Sequence, residues 1–455
     1  MTCNIKEKIY SFIENEKLAQ AMFCALCASL FCYGLCYPII NEYVAGGFMT
    51  VFVVYECLRQ HYIPVDLAFI FLWQGALICA LIDFHTNDQY MYWLQWAWVL
   101  PVVYLFGKVV AGNDNAVAPV FPGLRWPDGR MRIAEKRTTI AFISLALGLF
   151  LQGLVDYIYG YIQRGEWFVQ WEQFWTGETQ VKNTFELEFL LITCLLPAVF
   201  YIRRKAKSIC FVYLVAEAMI LFFCLKTGGR INFLVLMLQV FFIAVFNVAD
   251  ADKIKRRKAV RWLLTLVGVL LILLLVLSLL IKLDLFGIGS IYYNSFWSRD
   301  GGVLHNVRLS CIVEGVQKSF IYPLGGFTVD ALGEYGGGSS HNLWLEYARQ
   351  YGLVPLICLF TFSAITVVYA VKLLLKSSDR FSWCKRLLVP AVICLNMYHS
   401  MEPNGHAQRH LWLFCIVISG MLARIAGMDQ EKYVSCRQDL KQESRLCDRY
   451  KIKSE

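Results

Sequence analysis

The sequence predicts an all-α polytopic membrane protein with about twelve transmembrane helices and one long ordered loop outside the membrane. Three observations predict it. The composition is too apolar for water, with 58% hydrophobic and only 17% charged residues and a mean hydropathy of +0.51, whereas soluble chains carry about 25% charge. Apolar runs of about 20 residues, the length that crosses a hydrocarbon layer, recur from end to end. Lysine and arginine are divided unequally between alternate connections, as topology in a bilayer requires. A length of 455 residues would suggest about three soluble domains of roughly 150 residues each, but this composition cannot be arranged as small cores under charged skins.

The first run, Leu18 to Ile40, follows Lys6, Lys8 and Lys17. Its basic start resembles a cleavable signal, but its acids and its length favour an uncleaved anchor. Val44 to Cys57, Leu67 to Ile82, Met91 to Gly107, Thr138 to Tyr157, Leu187 to Ile202, Ser208 to Leu225, Ile231 to Val248 and Trp262 to Ile281 follow, then Leu353 to Leu375, Leu387 to Tyr398 and Leu411 to Leu422. Backbone groups in lipid must bond internally, so each is expected to be a helix.

With the N-terminus inside, the inner segments and their helix ends hold 33 of the 43 basic residues. Arg203-Arg204-Lys205 with Lys207, and Lys253 with Lys255-Arg256-Arg257-Lys258, are the clearest inner clusters. The expected organisation is nine helices over 1–283 with an amphipathic outer segment at 160–186, a long outer loop over 284–341, three helices over 342–426 and a basic cytoplasmic tail over 427–455. Both termini are then cytoplasmic, and a multi-pass inner-membrane location follows. The net charge of +9 reads as a topology signal and an affinity for anionic membrane lipids, with no nucleic-acid partner.

Of the 17 cysteines, only Cys311 falls in the long outer loop, so no disulfide framework is expected there. Cys24, Cys27, Cys32 and Cys36 lie among Ala, Leu, Phe and Tyr, which suits helix packing better than metal binding.

The outer segment 160–186 places Trp167, Trp171 and Trp175 at four-residue spacing with Glu166, Glu172 and Glu178. That pattern predicts an amphipathic helix at the interface, serving as an aromatic belt or as a sugar platform. The long loop carries Arg299, Asp300, His305, Asn306 and Arg308, then Pro323-Leu324-Gly325-Gly326, then Gly336-Gly337-Gly338-Ser339-Ser340-His341-Asn342. Loops of this length are functional or disordered, and Tyr292, Tyr293, Phe296, Trp297, Phe320 and Tyr322 provide material for a core. Arginine binds phosphate through a planar fork of donors that stays charged. Arg299 and Arg308, nine residues apart, suit a diphosphate, while pairing with Asp300 and Glu314 is the structural alternative. The glycine-rich stretch reads as a turn that opens a helix, with Ser340 as N-cap and His341 in the first turn, where the helix dipole favours a neutral imidazole. A third outer segment, 399–410, adds Glu402, His406 and Arg409. Glu217 lies midway along an apolar run, which marks it as functional by default. Arg230 is one possible partner, and a neutral, hydrogen-bonded carboxyl is the other reading.

These motifs resemble the bacterial O-antigen polymerases and O-antigen ligases, membrane glycosyltransferases that use undecaprenyl-diphosphate-linked glycans. Arg308 stands fifteen residues before Pro323-Leu324-Gly325-Gly326, as the family's loop arginine stands before its Pro-Leu-x-Gly element. His341-Asn342 followed by Gly352 is similar to the family's His-Asn pair with glycine eleven residues on. Thr227-Gly228-Gly229-Arg230 more weakly resembles a Ser-Arg element. Ile312 replaces an aromatic residue common in the family, and Gly326 directly follows Gly325. The likeness covers Thr227 to Phe360 at motif level.

The resemblance implies a GT-C-like fold and polymerisation of lipid-linked repeat units into surface polysaccharide. The alternative is a ligase that transfers the finished glycan. It implies an undecaprenyl-diphosphate-linked donor, a lipid-linked acceptor and a chain-length regulator as partners. His341, Arg308 and Arg299 become the catalytic candidates, and Arg230, Asn342, His305, Glu402, His406 and Arg409 the substrate-binding ones. No Asp-x-Asp element stands in the outer loops, where Asp300, Asp330 and Glu334 are separate, so metal independence and no cofactor are expected. A flippase of lipid-linked sugars is the rival of a different class. It should show charges within helices and helices broken at the bilayer midplane.

Overall fold

The computed structural model describes residues 14–37, 39, 41–60, 64–86, 91–112, 132–165, 170–175, 177, 179–227, 231–250, separate positions between 261 and 283, and residues 307–330, 342–375, 381–401 and 413–428. Among the described residues the regular structure is helical apart from one short ribbon. In chain order the helices are α1 (Glu16–Gly34), α2 (Glu42–Gln60), α3 (Leu67–Thr86), α4 (Met91–Leu94), a π-helical turn (Gln95–Val99) and α5 (Leu100–Ala111). There follow α6 (Ile133–Arg164), α7 (Lys182–Thr193), α8 (Leu196–Ile202), α9 (Lys207–Thr227), α10 (Ile231–Ala249), α11 (Val307–Ile321), α12 (Leu343–Tyr351), α13 (Leu353–Leu375) and α14 (Ser382–Met401). The last is α15 (Leu413–Met428).

Six of these are long and apolar enough to cross a membrane: α1, α3, α6, α9, α10 and α13. The protein is therefore a helical membrane protein. On α9, Ile209, Phe211, Val212 and Leu214 are exposed, which a helix tolerates when its solvent is hydrocarbon. The other expected runs also meet helices but fall short for local reasons. α14 carries Lys385, Arg386, Asn396 and His399, and it can do so because it is central: Leu387, Leu388, Val389, Ala391, Val392, Cys394 and Leu395 are all shut away inside the protein. Of the run Trp262 to Ile281 only separate positions are described, among them Thr265, Leu275, Val276 and Leu279, and each of these is helical; the basic tail beyond Met428 lies outside the described residues.

Helix ends follow side-chain chemistry. Asn15 starts α1 by accepting from Lys17 N and Leu18 N, and Asn41 accepts from Tyr43 N and Val44 N at the start of α2. These bonds satisfy amides that no helical carbonyl can reach. α1 ends at Gly34 and not at Ile40, because Cys36 takes a left-handed φ of 51° and Pro38 restricts the residue before it. The run Leu187 to Ile202 is not one helix. Pro197 has no N–H for the carbonyl of Thr193, so α7 ends there and α8 starts after two intervening residues, at Leu196. The Tyr213 hydroxyl donates to the orphaned Thr193 carbonyl at 3.3 Å.

The expected amphipathic helix across the tryptophans is corrected by a two-stranded antiparallel ribbon, β1 (Gln170–Glu172) with β2 (Thr179–Val181), in which Trp171 faces Gln180. A buried polar network on α6 outweighs the helical spacing. Asp156 accepts from Phe174 N at 2.8 Å and from Gln152 Nε2 at 2.8 Å, and Gln152 Oε1 accepts from Trp175 Nε1 at 2.8 Å. Trp175 packs edge-on against Tyr37.

One end of the bundle is tied by buried ion pairs. Arg137 on α6 meets Glu56 on α2 at 2.7 Å with both side chains inaccessible, donates to the Val110 carbonyl at 3.0 Å and lies over the rings of Phe23 and Phe52. Asp250 joins Lys385 and Arg386, and Lys108 joins Asp66 at 2.7 Å. Helices approach most closely at glycines: a Cβ on Gly107 would run into the Val417 carbonyl and one on Gly420 into that of Tyr104, which locks α5 onto α15.

Candidate functional site

At the opposite end of the bundle, three sequence-separated elements meet. The Pro323-Leu324-Gly325-Gly326 turn after α11 docks on the junction between α12 and α13. Leu353 N donates to the Pro323 carbonyl at 2.8 Å and Gly326 N to the Arg349 carbonyl at 2.7 Å. Gly325 and Gly352 both have positive φ, of 84° and 90°. A Cβ on Gly325 would overlap the Gln350 carbonyl, and one on Gly352 the Pro323 carbonyl. Positive φ and a close backbone crossing together explain why positions 325 and 352 are glycine.

The chain then runs as a strap back along α11. Asp330 N donates to Glu314 at 2.8 Å, and Lys318 Nζ bonds the Thr328 carbonyl at 2.8 Å and Asp330 at 2.7 Å. The hydrogen bond to Asp330, then that to Glu314, holds the Lys318 ammonium above its ordinary range. Cys311, Phe327 and Val329 form the small core beneath. This corrects the aromatic core expected from Phe320 and Tyr322: Phe320 is 70% exposed, and Tyr322 is half exposed and stacks on Phe327. Glu314 is engaged by Lys318 and the Asp330 amide. Arg308 is in the first turn of α11; its side chain lies outside the described residues.

Asn342 starts α12. Its Oδ1 accepts from Leu345 N at 3.1 Å and its Nδ2 donates to the Ser400 carbonyl, at the end of α14, at 2.8 Å. Asn342 is thus the N-cap in place of Ser340, and position 341 precedes the helix instead of sitting in its first turn. Asn342, expected to bind substrate, also holds α12 against α14 through its amide. On the next helix face inward, Asp83 accepts from Trp96 Nε1 at 2.9 Å and from Tyr351 hydroxyl at 3.1 Å, joining α3, the π-helical turn and α12. The π-helical turn itself is held by Gln95 donating to Glu42.

The start of α10 is fixed from α7. Glu186 accepts from Ile231 N at 3.0 Å, and its carbonyl accepts from Asn232 Nδ2 at 3.0 Å. A buried carboxylate therefore caps the helix directly after Arg230. Glu217 accepts from Thr193 Oγ1 at 3.3 Å, and its other oxygen lies 3.2 Å from the Tyr213 hydroxyl, whose single proton it shares with the Thr193 carbonyl, which agrees with the hydrogen-bonded reading. Its expected alternative partner Arg230 lies outside the described residues, as do His341, Arg299, His305, Glu402, His406, Arg409, Asp300, Glu334 and Trp167.

Sequence reasoning passed over several groups at this end. Asp83, Gln152, Asp156 and Glu186 are buried polar residues in apolar helices, and that placement alone marks them. His399 is also buried, in the last turn of α14. Among the described residues, no cluster of three or more His, Cys, Asp or Glu has the geometry to hold a metal.

Comparison with family models finds no match, and comparison with curated proteins finds no similar sequence either.

Proposed function

We propose that this protein polymerises lipid-linked oligosaccharide repeat units into a surface polysaccharide, as an inverting glycosyltransferase of the O-antigen polymerase and ligase type. The observation that carries the reading is the docking of Pro323-Leu324-Gly325-Gly326 on Gly352, at one end of the short helix α12 that Asn342 caps at the other. These are motif elements of the resemblance, and both bound one helix in a bundle with membrane-length helices. In this reading the chain crosses the inner membrane about twelve times, its termini are cytoplasmic, and this end faces outward.

The acceptor hydroxyl attacks the anomeric carbon, the new glycosidic C–O bond forms, and the bond to the lipid diphosphate breaks. Negative charge builds on the departing bridging oxygen, where fixed cations stabilise the transition state more than the ground state. Arg230, Arg299 and Arg308 supply those cations. His341 takes the hydroxyl proton, help worth roughly a hundredfold to ten-thousandfold. Substituting Arg308 or His341 with alanine should abolish transfer at unchanged membrane abundance, and full activity of either variant would remove these assignments. The glycan profile of a deletion strain separates polymerase from ligase. Single attached units indicate the former, and complete loss of attachment the latter.

A second reading, a flippase of lipid-linked sugars, is favoured by one observation: the break between α7 and α8, where Glu217, Thr193 and Tyr213 meet in an apolar setting. Movement of a fluorescent lipid-linked sugar across proteoliposomes, with no new glycosidic bond, would support it over transfer.

A further inference from the structure

His399 is fully buried in the last turn of α14, yet among the described residues neither of its ring nitrogens has a hydrogen-bond partner. A neutral imidazole carries one donor and one acceptor. Leaving both dry costs the desolvation of each, whereas an apolar ring of similar size would cost nothing. Among the described residues no charged side chain stands close enough to compensate it; the Tyr398 ring packs edge-on at 5.7 Å. Buried polar groups left in this condition require an explanation.

The frame around His399 is rigid and belongs to the candidate site. The next residue, Ser400, accepts from Asn342 Nδ2 at 2.8 Å. One turn back, the Ser363 hydroxyl on α13 donates to Asn396, and Asn396 Nδ2 donates to the Val392 carbonyl at 2.8 Å. The ring is therefore held at a set position relative to the start of α12, which His341 immediately precedes.

We propose that His399 is a glycan-binding residue that hydrogen-bonds a hydroxyl of the incoming acceptor sugar beside the start of α12. The inference rests on the glycosyl-transfer reading and names a contact for its acceptor. A sugar hydroxyl both donates and accepts, so it can meet either ring nitrogen. An uncharged ring suits it better than phosphate oxygens, which arginine binds. Binding supplies the partner that the ring lacks, and it requires the groups covering the ring to part.

The test uses the full-length protein in membranes, with lipid-linked repeat units extracted from cells that lack it. His399→Phe keeps the volume and removes both polar atoms; His399→Gln keeps a donor and an acceptor. The Phe variant should be at least as heat-stable as the wild type yet transfer about tenfold more slowly at low acceptor concentration, the worth of one hydrogen bond. The loss should fall mainly on KM for the acceptor, and the Gln variant should recover part of it. Wild-type transfer by the Phe variant overturns the proposal. So does loss of heat stability in both variants, which would make His399 structural. A wild-type protein that transfers nothing under these conditions refutes the glycosyl-transfer reading itself, and the acceptor contact falls with it.

Discussion

Asn342→Ala removes two hydrogen bonds at once, and their contributions can be estimated separately. The N-cap bond to Leu345 N, 3.1 Å long, contributes about 1 kcal/mol. The bond from Nδ2 to the Ser400 carbonyl, 2.8 Å long, joins two helices of a membrane protein and contributes about 0.6–1 kcal/mol. Together they hold the start of α12 by about 2 kcal/mol, which is roughly a thirtyfold change in the opening equilibrium. Asn342→Asp separates the two, because a carboxylate still caps the helix but cannot donate to Ser400; it should cost only the second bond, roughly fivefold at most. Hydrogen exchange of amides 343–351 measures both variants. Exchange in Asn342→Ala no faster than wild type would refute the view that this side chain secures α12. If the link to α14 sets the position of His341, Asn342→Asp must also lose transfer although its helix is intact, and unimpaired transfer would sink that part of the reasoning.

Two further predictions concern the frame. Arg137→Met leaves Glu56 buried without its partner and should destabilise the protein by about 3–5 kcal/mol, seen as a lower melting temperature in detergent; adding Glu56→Met should recover most of the loss, since it removes the stranded charge. Gly352→Ala forces a side chain into extended backbone of positive φ that essentially only glycine adopts, about 1–3 kcal/mol, and into the Pro323 carbonyl. Its transfer activity should fall with its folded yield, while Gly47→Ala, where a Cβ meets nothing, should leave both unchanged.

Legibility in the sequence differed by kind of feature. Ile231 to Val248 and Leu353 to Leu375 stand as α10 and α13 almost residue for residue, because apolar length and backbone satisfaction in lipid are local properties. The Leu187 to Ile202 run was legible in extent but not in continuity: Pro197 is visible in the chain, whereas the Tyr213 hydroxyl that makes the break tolerable comes from another helix. The tryptophan spacing at 167, 171 and 175 pointed to a helix and the segment forms a ribbon, since Asp156 and Gln152, which bind Phe174 and Trp175, lie on α6. Ser340 was the expected cap, but Asn342 caps the helix, and its amide also reaches the Ser400 carbonyl 58 positions away, a contact that the local sequence does not show.

The sequence by itself determined that the chain is helical and lives in lipid, because those conclusions depend on composition and on contacts within one turn of helix. It also ordered the Arg308, Pro-Leu-Gly and His-Asn elements that suggest glycan transfer. Only the tertiary structure decided that the Pro323 turn rests on Gly352, that Asn342 serves α14 as well as its own helix, and that His399 lies buried without a partner. Each of these depends on which groups meet across helices, and the partners of such isolated hydrogen bonds lie far apart in the chain, where no local pattern pairs them.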